Sequence, residues 1–232
     1  MCGRYRLTRA DRLAEKFEAI YGGSEDDLVP RYNIAPTQPV PVVQATESGR
    51  EITSMRWGLI PSWAKDTSAT QINARSETVL EKPAFRESLE GRRCLIPADG
   101  FYEWKRHGKL RQPFHFGMKD DSLFAFAGIW DRWKPPTGPI LESCAILTTS
   151  PNELLKDIHN RMPVILRPEH YSMWLNAPPS ACRRLADILV PYDTGAMRRF
   201  AVKECVNDPG NETPDCLIEA AELISAQPTL FH

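Results

Sequence analysis

The sequence predicts an α+β fold: one compact domain on a largely antiparallel, barrel-like sheet with short peripheral helices. Three observations carry this. Short runs of β-branched and aromatic residues recur along most of the chain, the helical patterns between them are brief and single, and strands and helices do not alternate regularly as a parallel sheet would require. With 232 residues, 42% of them hydrophobic, one large core is affordable and a single domain over 1–232 is expected. The 13 glycines and 20 prolines are spread along the chain, which indicates many turns and no repeat, linker or disordered tail.

Taken in order, TRADRLAEKFEAIYGG (8–23) reads as a helix. Thr8 and Asp11 suggest a capping box, Leu13, Phe17, Ile20 and Tyr21 form one apolar stripe, and Gly22-Gly23 ends it. YNIAPTQPVPVVQ (32–44) is proline-punctuated extended chain, and EITSMRWGLIP (51–61) is a strand running into a Pro61 turn. Further strands are expected at RRCLIPA, GFYEWKR, PFHFGM, LFAFAGIW, ILESCAILTT, MPVILR and MRRFAVKECV. Short helices fit KPAFRESLEG, with Pro83 near its start and Gly91 at its end, and also RPEHYSMWL and SACRRLADIL. SPNELLKDIHNRMPVIL (150–166) gives the clearest helix signal. Ser150 and Glu153 form a capping box, Pro151 takes the first helical position, and the helix runs out near His159.

Formal charge is −1, so no global basic field points to nucleic acid, and any such site must be a local cluster. Arginines 4, 6, 9 and 12 crowd the start without an apolar segment behind them, and no apolar run spans a membrane. A soluble, cytoplasmic protein is expected. Six cysteines, at 2, 94, 144, 182, 205 and 216, show no CxxC, and the five histidines form no close pair. Metal is therefore not expected, and the cysteines read as reduced thiols, with Cys94, Cys144 and Cys205 filling apolar strands.

Cys2 is the exception, because removal of Met1 would give it a free amine and a thiol on adjacent carbons. Three other stretches hold candidates. In QINARSET an extended backbone puts Asn73, Arg75 and Glu77 on one face, as a site or equally as a solvated strand edge. In ADGFYEWKR, Glu103 is a lone carboxylate among large apolar side chains, where burial raises its pKa towards neutrality unless the group is merely structural or half-exposed. His159, at a predicted helix C-terminus with Arg161 beside it, has a charged form favoured by the helix dipole, although lone histidines are more often structural. Arg4, Arg75 and Arg161, with Trp57 and Trp63 in MRWGLIPSWAKD, would supply phosphate anchors and base-stacking faces if they converge; both tryptophans also read as core.

The ordered set CGRY, YNIAPTQ, RWGLIPSW, NARSET, CLIPADGFYEW and HNRMPVIL resembles the SRAP family of abasic-site processing proteins over about residues 2–207. The acidic segment 208–232 lies beyond the resemblance and is expected to pack away from the cleft. The resemblance implies a compact α+β domain with a barrel-like sheet. It also implies that Cys2 becomes joined to an abasic site in single-stranded DNA, that Asn73, Glu103 and His159 occupy active-site positions, and that Arg75 and Arg161 hold phosphates. It brings in DNA repair, the SOS response and a peptidase activity directed at the leading methionine. No cofactor is implied. Chemically, an amine and thiol so placed can close on an aldehyde as a thiazolidine. Two other classes stay open: a thiol peptidase or amidohydrolase using Cys2 as nucleophile, and a non-covalent module for single-stranded or modified DNA. The expected form is a monomer, nucleoid-associated if bacterial.

Overall fold

The computed structural model describes residues 2–23 and 29–223. Fourteen strands lie among them: β1 (Tyr5–Leu7), β2 (Ala19–Tyr21), β3 (Arg31–Ile34), β4 (Pro39–Thr46), β5 (Gly49–Trp57), β6 (Asn73–Arg75), β7 (Arg93–Ala98), β8 (Gly100–His107), β9 (Leu110–Met118), β10 (Phe124–Trp133), β11 (Leu141–Thr149), β12 (Met162–Pro163), β13 (Ile165–Leu166) and β14 (Met197–Ala201). The α-helices are short: α1 (Leu13–Phe17), α2 (Arg86–Gly91) and α3 (Tyr171–Asn176). No helix among the described residues is long and apolar enough to cross a membrane.

The strands β4, β5, β11, β10 and β7 close into a mixed five-stranded barrel. Four of the pairings are antiparallel, and the parallel pairing of β5 with β11, Ser143 opposite Arg56 and Cys144 opposite Trp57, completes the ring. All six residues of β7 are buried, as a strand covered on both faces requires. A second, antiparallel sheet runs β14-β9-β8-β1-β3. Its β8–β9 hairpin turns through Gly108-Lys109, and Gly108 takes φ +61, the positive dihedral that a two-residue hairpin needs at its first position.

The sheets share one core in which Tyr5, Trp57, Phe101 and Phe126 are fully buried. The Tyr5 ring meets Trp57 edge-on at 5.2 Å and Phe126 at 5.7 Å. Cys94 and Cys144 are buried in the barrel as expected. Cys205 is only partly buried; its sulfur lies 3.8 Å from that of buried Cys216.

Two predicted helices are corrected. The helix over 8–23 stops at Phe17, because Glu18 adopts the left-handed conformation (φ 50, ψ 52). Ala19–Tyr21 then pair in parallel with Arg50–Ile52 of β5, so Ile20 is exposed instead of core. Thr8 caps nothing: its hydroxyl donates to Asp99. The stretch 153–158 forms successive turns in place of a helix, and the side chain that accepts its first amides is Asn152, from Leu154 and Leu155, not Ser150.

The acidic segment is described as far as residue 223. It packs on the second sheet, where the Glu212 carboxylate pairs with Arg31 at 2.7 Å and accepts the amides of Tyr32 and Asn33. The chain just before it lies against Arg4, two residues from Cys2, through the Val206 carbonyl.

Asp99, between β7 and β8, is buried. Its Oδ2 accepts from the Thr8 amide (2.7 Å), the Thr8 hydroxyl (2.6 Å) and the Arg9 amide (3.2 Å), while Oδ1 faces the Arg6 guanidinium at 3.1 Å. A buried carboxylate is tolerated only with such compensation. Asp99→Ala would leave the Arg6 charge buried and two amides unanswered, so we expect it to lower the unfolding free energy by about 3–5 kcal/mol. Thr8→Ala, which leaves the ion pair intact, should cost about 1 kcal/mol. Urea denaturation of both variants checks the difference.

Candidate active site around Cys2

Cys2 immediately precedes β1, and β1 lies beside β8, with Tyr5 opposite Phe101. The Tyr102 amide donates to the Arg4 carbonyl at 3.0 Å, so the pairing runs on towards Cys2 and brings it alongside Glu103. From the barrel side comes β6, paired in parallel with β11 so that Asn73 stands opposite Ile146. The Asn73 side-chain amide donates to the Cys2 carbonyl at 2.8 Å, which joins the two sheets at this point. Cys2, Asn73 and Glu103 are all buried.

The electrostatics follow from that burial. Desolvation, and secondarily the charge of Glu103, push the Cys2 thiol far up. Desolvation likewise raises the Glu103 carboxyl, with the charge of His159 among the influences opposing it. A carboxyl so placed can give and take protons closer to neutrality than an exposed one. The His159 Nδ1 lies 3.0 Å from the Arg161 amide and 3.1 Å from the Arg161 carbonyl. A neutral ring can accept from the amide and a protonated ring can donate to the carbonyl, so both protonation states find a partner.

The predicted DNA contacts divide. Arg75 is exposed at the end of β6, opposite Thr148. Arg161 reaches the same place: one terminal nitrogen donates to the Thr148 carbonyl, and the guanidinium meets Glu77 through two bonds of 2.6 and 2.8 Å. Glu77 does not continue the strand face with Asn73 and Arg75, because β6 ends at Arg75 and the chain turns.

Trp63 is 61% exposed on a turn fixed by the bond from the Ser62 amide to Asp131 and by the Trp133 indole donating to the Ala64 carbonyl. Trp57 is corrected: it is fully buried, its indole nitrogen donates to the Ile72 carbonyl, and no face is left for a base. Arg4 is also differently employed. One of its terminal nitrogens donates to both Asn33 and the Val206 carbonyl at 2.7 Å, and the guanidinium lies over Trp104.

Asn33 was not singled out by sequence. It is fully buried and accepts from Arg4 while donating to the carbonyls of Asp208 and Asn211, so it ties the start of the chain to the C-terminal segment. Its signal is an amide side chain beside the apolar Ile34-Ala35, where burial demands partners. Thr148, buried in β11, is the second such residue.

A carboxyl whose native pKa is raised holds its proton longer in the folded than in the unfolded chain. Folding stability therefore falls as pH rises from the ordinary glutamate value of 4.5 through the raised native one. Glu103→Gln removes that loss. We expect this variant to match the native protein at about pH 4 and to be increasingly more stable at higher pH, measured by urea denaturation across the range.

Comparison with known proteins bears on this geometry. Residues 1–209 match the family model described as SOS response associated peptidase (SRAP). The chain is 44% identical over 224 residues to the abasic site processing protein YoqW of Bacillus subtilis, covering 95% of this chain and 100% of that protein. It is 35% identical over 244 residues to the abasic site processing protein HMCES of Mus musculus, covering 88% of this chain and 69% of that protein. A crystal structure of a protein from Bacteroides thetaiotaomicron superposes with a TM-score of 0.86 at 28% identity, covering 95% of this chain and 100% of that one. The family match, these relatives and the shared fold together make the chain a member of the SRAP family.

Proposed function

We propose that this protein processes abasic sites in single-stranded DNA by covalent capture at Cys2, shielding the lesion during repair. The carrying observation is the convergence on Cys2 of the Asn73 amide, bonded to its carbonyl, and the buried Glu103 carboxyl, itself within electrostatic reach of His159. The names of the relatives, each an abasic site processing protein, support the choice of substrate.

With Met1 removed, the neutral amine of Cys2 adds to the open-chain aldehyde of the abasic sugar. Loss of one water gives an imine; the thiol sulfur then adds to the imine carbon while its proton passes to nitrogen, closing a thiazolidine. In this reading His159 helps open the sugar and moves protons during imine formation, Glu103 exchanges protons with the amine and hydroxyl, and Asn73 orients Cys2. Holding aldehyde and amine together contributes more than pKa adjustment. Arg75 and Arg161 hold phosphates and Trp63 stacks a base, while Arg4 braces the start of the chain. The whole chain, 1–232, works as one unit and as a monomer. A second reading, hydrolysis of the bond between Met1 and Cys2, draws on the family's description as a peptidase and on the protonatable carboxyl beside Cys2.

While Met1 remains, the nitrogen of Cys2 is an amide whose lone pair is delocalised, and it cannot add to an aldehyde at a useful rate. Incubation with an oligonucleotide bearing one abasic site, followed by intact-mass analysis, tests the proposal. Only protein lacking Met1 should gain the oligonucleotide's mass less one water. Cys2→Ser, which retains the amine, should form no heat-stable adduct yet bind DNA nearly as well, leaving an imine that borohydride traps. A heat-stable adduct from Cys2→Ser or from Met1-bearing protein would refute the mechanism.

Arg75→Ala and Arg161→Ala should each weaken binding at all sequences and reduce the slope of log affinity against log salt by about one. Titration of undamaged oligonucleotides at several salt concentrations checks this; a change of base preference at constant slope would rule out phosphate contact.

A further inference from the structure

The Arg161 guanidinium, read above as a phosphate anchor, is already occupied. Glu77 meets it with both carboxylate oxygens, at 2.6 and 2.8 Å, in the fork-to-fork arrangement that a phosphate would adopt. The two partners differ in their freedom. The Arg161 side chain is only 14% exposed and is further held by the Thr148 carbonyl, whereas the Glu77 side chain is 51% exposed. The backbone around Glu77 is fixed by the bonds from the Ser76 amide to Thr148 and from the Thr78 amide to Arg75. The carboxylate can therefore leave for water at small cost while the guanidinium stays in place.

We propose that Glu77 is a built-in competitor for Arg161, and that it reserves this arginine for polynucleotides against free phosphate and single nucleotides. This rests on the phosphate-anchor reading of Arg161 and deepens it. A tethered carboxylate acts at an effective concentration in about the millimolar range or above, so an untethered phosphate must exceed that to displace it. A strand already held at Arg75, which stands opposite Thr148 beside the Arg161 contact, presents its next phosphate with a comparable tether and can compete.

The test uses full-length protein, a short undamaged deoxyribo-oligonucleotide followed by fluorescence anisotropy, and inorganic phosphate titrated separately and followed by phosphorus NMR. Glu77→Gln removes the charge. Glu77→Asp keeps the charge but is one methylene too short for the two-bond contact. Both are surface changes, and thermal melting checks that both variants fold. Glu77→Gln should bind the oligonucleotide roughly threefold to tenfold more tightly than the native protein, and Glu77→Asp should also bind more tightly, by less. Inorganic phosphate alone should bind Glu77→Gln at a roughly tenfold lower concentration than it binds the native protein.

Weaker binding by Glu77→Gln would mean that Glu77 positions Arg161 and would overturn the proposal. Tighter binding by Glu77→Gln with native behaviour in Glu77→Asp would reduce the effect to general charge repulsion and overturn it equally. Phosphate binding no tighter in Glu77→Gln than in the native protein would refute the selectivity. Arg161→Ala, measured alongside, separates the two levels: native affinity in that variant would remove the phosphate-anchor reading itself, whatever the Glu77 variants do.

Discussion

The parallel pairing of β5 with β11 is the constraint on which the rest of the arrangement depends. It closes the barrel at Ser143 and Cys144, and it uses only the first part of β11. The later part, from Ile146 to Thr148, is left for β6. That division puts Asn73 level with the end of the second sheet, where the chain arrives through Cys2. A one-residue slip of β6 would reverse its faces and turn the Asn73 amide away from the Cys2 carbonyl. Barrel register and site geometry are thus one property.

Burial then sets the chemistry. Three acidic groups occupy different surroundings and behave differently. Asp99 is buried with three hydrogen-bond donors and a guanidinium around it, so it anchors structure. Glu103 is buried deeply enough that desolvation outweighs the nearby positive charges and raises its pKa, so it is available for proton transfer and opposes stability at higher pH. Glu77 is half-exposed and paired with Arg161, which lowers its pKa through hydrogen bonding, so it stays charged. The residue type is nearly the same in each case; the environment assigns the role.

The C-terminal segment completes the arrangement. Glu212 bonds the backbone of β3, and Asn33 gathers carbonyls from Asp208 and Asn211 while accepting from Arg4. The start of the chain, with Cys2, is therefore braced through Arg4 by the Val206 carbonyl, 202 positions away in sequence. This brace holds the start of the chain in place beside Asn73 and Glu103. The acidic character of the segment serves this brace, through Arg31 and the β3 amides, instead of opposing DNA.

By itself the sequence determined the fold class, the strands from RRCLIPA to ILESCAILTT and the identity of Cys2, Asn73, Glu103 and His159 as candidates. Alternating apolar runs and unusual polar residues within them are local signals, and local signals survive without coordinates. It misjudged 8–23 and 150–159, where helical periodicity and capping patterns were present but competing partners prevailed: the β5 edge for Ala19–Tyr21, Asp99 for Thr8, and the Asn152 side chain for the turn amides. It could not divide the two tryptophans, because Trp57, at the end of β5, and Trp63, in the turn after it, stand six positions apart and differ in what the fold covers. Nor could it find that Arg4 faces Asn33 while Arg161 faces Glu77. Those pairings join residues 29 and 84 positions apart, and only closure of the barrel and docking of the second sheet decide which distant charges meet.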